Sequence, residues 1–290
     1  MNYTVFMVIF LLLTQGCTQQ KGQEIKIATN SWIGYAPLFY AKEKGYLKEL
    51  NMKLITSVSL AEASNIYEMG QADIVTTTQH EYFALKTITH DIEPIVLLDR
   101  SYGGDMVLSN KSLKALKEAK KIYAYLEIDS INLEIVKDFI AFTNLDKSKI
   151  IFTNKDQDKI QSLSNDTSKT MLIITYAPYN IKLETKGFKE VASTKDEGSI
   201  VVIDALCAKK SLIKNQSKRL KALKKILDKS IKAIQSNPKE TYLLVESYLQ
   251  NISYAEYLDA LEKIRWINKP EKNLLDVMKK LNYSTKDIIR

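Results

Sequence analysis

Short apolar runs alternate along this chain with segments whose apolar residues recur at helical spacing. The runs at residues 24–29, 72–76 and 122–126 are rich in isoleucine, alanine or valine, which favours strands. Residues 36–44 and 131–142 show the spacing of helices. Strands that alternate with helices in this way predict an α/β protein whose sheets are mainly parallel.

The alternation falls into two series, and a long apolar run at residues 200–206 leads from the second series back to the first. This order predicts two lobes, each a mainly parallel sheet flanked by helices, joined by a double crossover near residues 106–110 and 200–204. Ligands of α/β sheets bind at the carboxyl ends of the strands, so the cleft between the lobes is the expected site. After residue 206 the chain is expected to be helical, including residues 212–235 and 254–264.

The expected division of the chain follows from these crossings. Residues 1–16 form a signal peptide, residues 17–108 together with 204–290 form the first lobe, and residues 109–203 form the second lobe.

The net charge of +8 raises nucleic acid or a membrane surface as partners. Much of the excess lies at residues 209–239, where Leu220, Leu223 and Leu227 recur at helical spacing with lysines between them. No aromatic residue interleaves with these lysines, as a surface that stacks bases would need. The pattern therefore predicts an amphipathic helix with a solvated basic face, and no nucleic-acid partner.

Cysteine and histidine are too scarce to suggest a metal centre. The chain has two of each, without the spacing of a zinc site. We therefore expect no metal and no other cofactor.

The amino terminus carries nine consecutive apolar residues, 5–13, followed by Thr14-Gln15-Gly16-Cys17. A membrane-spanning helix needs about 20 apolar residues, so this run fits the core of a signal peptide instead. A cysteine after a small residue at this place resembles the lipobox of bacterial lipoproteins. The resemblance implies that Cys17 carries the lipid and anchors the protein on the periplasmic or cell-surface side of a membrane. A plain secretory signal and a buried amino-terminal strand are the alternatives.

Five segments together resemble the substrate-binding proteins of the nitrate/sulfonate/taurine transporter group, which also includes binding proteins for thiamin pyrimidine precursors. The first segment, residues 25–47, contains Trp32-Ile-Gly-Tyr-Ala-Pro-Leu38 and then Ala41-Lys-Glu-Lys-Gly45. The others are Met69-Gly-Gln-Ala-Asp-Ile74, Tyr102-Gly-Gly-Asp-Met-Val107, Leu126-Glu-Ile-Asp-Ser130 and Ile203-Asp-Ala-Leu206.

This resemblance implies a periplasmic binding protein fold of type II, with two lobes that close on a hinge. It also implies a monomer that carries a small solute to the permease and ATPase subunits of an ABC importer, without catalysing a reaction.

The candidate ligand-binding residues lie where the predicted strands end at the cleft. They are Trp32, Tyr35, Ser64, Asp105, Glu127, Ser130, Tyr176, Tyr179 and Asp204. Trp32 has the alternative of filling the core. Ser64, at the expected start of a helix, could offer backbone N–H groups to an anion or be an ordinary surface residue. Asp204 stands in an apolar strand, where a buried carboxylate needs a partner, either a ligand or a lysine of a neighbouring helix.

The side chains of these positions predict an aromatic and acidic cleft. No lysine or arginine falls among them, so we expect a ligand with an ammonium, amidine or amino-pyrimidine group, or a zwitterion such as taurine, and not bare nitrate. Relatives often have a W-E-P-W-like segment where this chain has Thr175-Tyr-Ala-Pro-Tyr179, so Ala177 removes an acidic group.

Two other functions remain open from the sequence. One is an enzyme on the same fold, of menaquinone or thiamin-precursor biosynthesis, for which His80 is the best catalytic candidate. The other is the ligand-sensing subunit of a membrane receptor.

Overall fold

The computed structural model describes residues 22–289, which form two β-sheets flanked by helices. The predicted signal peptide and Cys17 lie outside these residues. None of the helices in residues 22–289 combines the length and the apolar composition that crossing a membrane requires.

Eleven strands and thirteen α-helices are defined within this range, together with short 3₁₀ turns. The strands are β1 (Ile25–Asn30), β2 (Met52–Ser57), β3 (Ile74–Thr77), β4 (Ile92–Ser101), β5 (Asp105–Ser109), β6 (Ile122–Leu126), β7 (Ile150–Asn154), β8 (Met171–Tyr176), β9 (Lys189–Ser193), β10 (Ile203–Lys209) and β11 (Ile264–Trp266). The helices are α1 (Ala36–Glu43), α2 (Tyr46–Glu49), α3 (Leu60–Glu68), α4 (Gln79–Thr89), α5 (Leu113–Glu118), α6 (Ile131–Thr143), α7 (Gln157–Gln161), α8 (Asn180–Glu184), α9 (Lys210–Asn215), α10 (Ser217–Ser236), α11 (Pro238–Val245), α12 (Tyr254–Glu262) and α13 (Lys272–Lys280).

The first sheet has the order β11-β4-β10-β3-β1-β2, and the second has the order β7-β6-β8-β5-β9. We call the first sheet with its flanking helices the first lobe, and the second sheet with its flanking helices the second lobe. In the first lobe β2, β1 and β3 are parallel, as are β7, β6 and β8 in the second. Strands β10 and β5 run antiparallel to their neighbours.

Both sheets are therefore mixed, and the expectation of mainly parallel sheets holds only for these strand trios. The antiparallel pairs arise from the direction in which the chain enters each sheet. Strands that alternate with helices end at the cleft, whereas β5 and β10 each enter their lobe from the other one and therefore start at the cleft.

The chain crosses between the lobes at Tyr102–Gly104 and again at residues 194–202. The predicted first crossing, at residues 106–110, is wrong by a few residues, because this segment already belongs to β5 of the second sheet. The second crossing overlaps the predicted one.

Two further expectations about the carboxyl-terminal part are corrected. The predicted helix at 212–235 is two helices, α9 and α10. The helix predicted at 254–264 ends at Glu262, and Ile264–Trp266 then forms the edge strand β11. Here Ile264 is buried and Arg265 is exposed, which is the period of a strand.

Helix α10 buries Leu220, Leu223 and Leu227 and packs on α1, and most of its lysines face solvent as predicted. Lys224 is the exception, because it is buried and its Nζ donates to Asp228 at 2.6 Å. At the start of this helix, the Arg219 guanidinium donates to the Gln23 carbonyl at 2.9 Å.

Candidate functional site

Six of the nine predicted site residues come together between the two sheets. All six are at most 4% exposed, and we call them, with Asn30 and Asp99, the inter-lobe cluster: Trp32, Tyr35, Asp105, Tyr176, Tyr179 and Asp204. Trp32 and Tyr35 follow the end of β1, and Asp105 and Tyr176 face each other across β5 and β8. The cluster therefore draws on both lobes.

Trp32 is held by Asp99, a residue that the sequence analysis did not identify. The indole Nε1 donates to both Asp99 carboxylate oxygens, at 3.1 and 3.3 Å. Glycines make room for this contact. A Cβ on Gly34 would lie 2.0 Å from Asp99 Oδ2, and a Cβ on Gly104 would lie 2.4 Å from the Trp32 ring. Trp32 thus packs inside the protein and also lines the boundary between the lobes.

Asp204 lies directly across from Asp99 in the pairing of β10 with β4. The Tyr35 hydroxyl donates to Asp204 Oδ1. Burial raises the pKa of both carboxyl groups well above their ordinary values, and at Asp204 the charge of Asp99 adds to the rise. Two adjacent carboxylates in the same buried site oppose each other's ionisation.

Asp105 begins β5 directly after the first crossing, and its side chain is the least satisfied of the three aspartates. Its Oδ2 is buried without a hydrogen-bond partner in the described structure. Burial raises the pKa of Asp105 to about 7. Nearby, Asn30 Nδ2 donates to the Tyr176 hydroxyl at 3.0 Å, while Asn30 Oδ1 has no partner among the described residues. Two buried acceptors thus stand free in the cluster.

Within residues 22–289, the ion pairs do not include Asp99, Asp105 or Asp204. The alternative in which Asp204 pairs with a lysine of a neighbouring helix is therefore not what the structure shows. A buried carboxylate without a basic partner is energetically unfavourable, and it either takes up a proton or binds a cation.

Three aromatic rings in contact connect the first-lobe and second-lobe parts of the cluster. The Trp32 and Tyr176 ring centroids are 5.8 Å apart at an interplanar angle of 81°, and those of Tyr176 and Tyr179 are 5.3 Å apart at 88°. The Tyr179 hydroxyl donates to the Val58 carbonyl of the first lobe at 3.1 Å. Edge-to-face pairs of this kind give rigid, specific contacts.

Glu127 and Ser130 lie in the second lobe, in the turn between β6 and α6. Glu127 Oε1 accepts from the Gln157 backbone N–H at 3.0 Å, and Glu127 Oε2 has no partner in residues 22–289. Burial raises the pKa of Glu127 to about 8. Ser130 is the N-cap of α6, because its hydroxyl accepts from the Asn132 backbone N–H at 3.2 Å. The same hydroxyl donates to the Glu127 carbonyl. Its hydroxyl is thus engaged in capping the helix.

Ser64 does not lie where the sequence analysis expected it. Helix α3 starts at Leu60 with Ser59 as its N-cap, so Ser64 is inside the helix. Its backbone N–H belongs to the intrahelical series and is not among the free donors of the first turn. The expectation that Ser64 offers backbone donors to an anion is therefore wrong.

Besides Asp99 and Asn30, sequence reasoning missed Glu81 on α4. Glu81 is 1% exposed, and its Oε1 accepts from the Ile131 amide at the start of α6 in the other lobe, at 2.9 Å. Asp99 carries the same signal that identified Asp204, a carboxylate within an apolar strand. Glu81 carried only a local signal, the Thr-x-x-Glu pattern of a capping box.

His80, the catalytic candidate of the enzyme alternative, lies beside Glu81 on α4. Its Nδ1 is 3.8 Å from Glu134 Oε1, with its side chain 22% exposed. This contact joins an imidazole to a carboxylate and includes no nucleophile. Among the described residues, no three His, Cys, Asp or Glu side chains are placed to hold a metal ion.

Known structures share this architecture. The ligand-binding component of an ABC-type import system from Staphylococcus aureus, with zinc bound, matches with a TM-score of 0.70 and 12% identity, over 92% of this chain and 97% of that chain. The periplasmic aliphatic sulphonate-binding protein SsuA from Escherichia coli matches with a TM-score of 0.69 and 11% identity, over 91% and 94%. The periplasmic nitrate-binding protein NrtA from Synechocystis PCC 6803 matches with a TM-score of 0.66 and 12% identity, over 81% and 69%.

At these identities the likeness establishes the fold, and it confirms the predicted periplasmic binding protein fold with two α/β lobes. All three neighbours are ligand-binding proteins by their descriptions. No curated protein matches the sequence. Residues 32–241 match the family model described as NMT1/THI5 like, which spans more than half of the chain. The chain therefore belongs to the NMT1/THI5-like family.

Proposed function

We propose that this chain is the extracytoplasmic solute-binding component of an ABC importer, and that its solute carries a positively charged nitrogen group. An amine, an amidine, an amino-pyrimidine in its protonated form or the ammonium end of a zwitterion such as taurine has this chemistry. The observation that supports the proposal is the set of three buried aspartates between the lobes, Asp99, Asp105 and Asp204, without an ion pair in the described structure.

A cation in this cleft would offset the cost of burying these carboxylates. Within residues 22–289, Asp105 Oδ2 and Asn30 Oδ1 are buried acceptors of the inter-lobe cluster that lack partners, so they are the atoms to which an N–H donor would bind. Trp32 and Tyr176 supply ring faces and edges beside them, and a cation over such a ring gains about 0.5–2 kcal/mol. Asp99 and Asp204 then act through Trp32 and Tyr35, whose positions they fix.

The two crossings, Tyr102–Gly104 and residues 194–202, are the proposed hinge. A ligand that contacts Asn30 in the first lobe and Asp105 in the second favours the closed arrangement by its differential affinity for it. The closed protein then delivers the solute to the permease. Lipid attachment at Cys17 would keep it beside the membrane, and loss of membrane association in Cys17→Ser tests this step.

Isothermal titration of the purified protein at pH 8 tests the ligand class. The panel is guanidinium, an amino-pyrimidine, taurine and nitrate. We expect a dissociation constant in the micromolar range for at least one nitrogen cation and no binding of nitrate. Micromolar binding of nitrate alone would contradict the proposal. Native mass spectrometry of the protein as purified identifies any solute that stays bound.

A further inference from the structure

The start of helix α6 lies at the boundary between the lobes and is a natural place for an anionic group. This helix has 13 residues, and its first N–H groups have no acceptors within the helix. They also carry the positive end of the helix dipole, so anions bind favourably there. Asn132 on the first turn is fully buried, and its Nδ2 has no hydrogen-bond partner among the described residues.

The chain supplies its own anion at this position. Glu81 Oε1, from the first lobe, accepts from the Ile131 amide of the second lobe at 2.9 Å. The other oxygen, Oε2, accepts from the Thr78 amide at 2.9 Å and from the Thr78 hydroxyl. A capping box on α4 needs only the contacts of Oε2. The contact with Ile131 is therefore additional, and it joins the two lobes.

We propose that Glu81 takes the place of an acidic ligand group at the start of α6, and that it thereby excludes sulfonates, including the acidic end of taurine, and other anions from this end of the cleft, which narrows the proposed solutes to nitrogen compounds without an acidic group. The inference rests on the cleft between the lobes being the ligand site, as in the proposed function. It adds a residue that decides specificity, because the anion-binding donors are already occupied by the chain itself. The same contact holds the lobes together without a ligand.

The surroundings of Glu81 support this exclusion. Glu127 lies at the same end of the cleft, and its Oε2 has no partner in the described structure. In addition to burial, the charge of Glu81 raises the pKa of Asp105, Asp204 and Glu127. Above about pH 8, where Asp105 and Glu127 are ionised, a second anion at this end would therefore be repelled by these carboxylates as well as by Glu81.

The test compares Glu81→Ala with a matched change elsewhere. Glu256→Ala removes the corresponding carboxylate from the capping box of α12, on a half-buried residue outside the cleft. Methanesulfonate, which has no cationic group, is titrated into wild type and both variants, and far-UV circular dichroism checks folding. We expect at least tenfold tighter binding of methanesulfonate by Glu81→Ala than by wild type, and no gain for Glu256→Ala.

Folded Glu81→Ala without a gain would overturn the inference, as would tight binding of methanesulfonate by wild type. Should Glu81→Ala fail to fold, Glu81→Ser carries the test, since its short polar side chain removes the charge and does not reach the Ile131 amide, and the same tenfold gain is required of it. Guanidinium and an amino-pyrimidine, titrated into the same wild-type sample, report on the proposed function separately. A wild type that binds neither cation refutes the cationic solute, while the gain of methanesulfonate binding stands or fails on its own.

Discussion

Asp105 and Glu81 are both buried carboxylates at the boundary between the lobes, but their surroundings are opposite. Both oxygens of Glu81 accept hydrogen bonds from backbone N–H groups. Asp105 Oδ2 accepts none from the described residues, and burial raises the pKa of this carboxyl to about 7. Burial alone therefore does not indicate a ligand-binding carboxylate. The distinction lies in whether the protein itself satisfies the buried oxygens.

The largest expected effect is on ligand affinity in Asp105→Asn. This change keeps the shape of the side chain and removes the charge that a cation would neutralise. A hydrogen bond to a charged group contributes about 1.5–3 kcal/mol, so affinity for the cation found in the titration panel should fall at least tenfold. The measurement is isothermal titration at pH 8. Asp276→Asn, on an exposed carboxylate of α13, is the control for charge and should bind as wild type does.

The same comparison predicts opposite changes in stability. Glu81→Gln weakens two hydrogen bonds of a carboxylate and should lower the free energy of unfolding by about 1–3 kcal/mol. Asp105→Asn removes an unpaired buried charge and should raise it in the absence of ligand at pH 8. Urea denaturation followed by circular dichroism measures both. If the two variants shift stability in the same direction, the contrast between these carboxylates is wrong.

The pH dependence of stability sharpens the contrast further. Burial raises the pKa of Asp105 to about 7 and that of Glu127 to about 8, so the folded protein holds protons that the unfolded chain releases near pH 4. By linkage, the free energy of unfolding falls as pH rises from about 4 to about 8, and Asp99 and Asp204, whose pKa values burial also raises, contribute in the same direction. Urea denaturation at pH 5 and pH 8.5 measures the difference, which Asp105→Asn should reduce. Stability that rises over this interval would contradict the protonated state of these groups.

The smallest expected effect is that of Tyr35→Phe. The variant keeps the ring and removes the hydroxyl that donates to Asp204, at a cost of about 0.5–1.5 kcal/mol in the free energy of unfolding. A double-mutant cycle with Asp204→Asn isolates the contribution of this contact. Additive effects of the two substitutions would show that the hydroxyl and the carboxylate are not coupled.

The inter-lobe cluster was predictable from the sequence only where a residue carried its own signal. Asp204 stands out in an apolar strand, Trp32 lies in a segment that resembles a known family, and Tyr176 lies where that family often has a W-E-P-W-like segment. Asp99 has the same signal as Asp204 and was identifiable by the same argument. The prediction for Ser64 was wrong because the helix begins at Leu60, four residues before it, and Ser59 caps the first turn.

Contacts between the lobes could not be predicted from the sequence for a different reason. The Thr78–Glu81 spacing reveals a capping box, but nothing near Glu81 in the sequence indicates that Ile131 lies against its second oxygen. Strand β11 was missed because three residues that alternate directly after a helix are too few for a periodic signal. The two crossings were placed from the order of the elements, and the first was misjudged because β5 follows Gly104 at once.

The bond from Arg219 to the Gln23 carbonyl has a consequence for motion. It fastens the beginning of the described chain to the first lobe, beside the start of α10. A tether on the amino-terminal side of Gln23 would therefore restrain the first lobe directly. The backbone joins the second lobe to the first through only two connections, so in the proposed hinge motion the second lobe is the one expected to move.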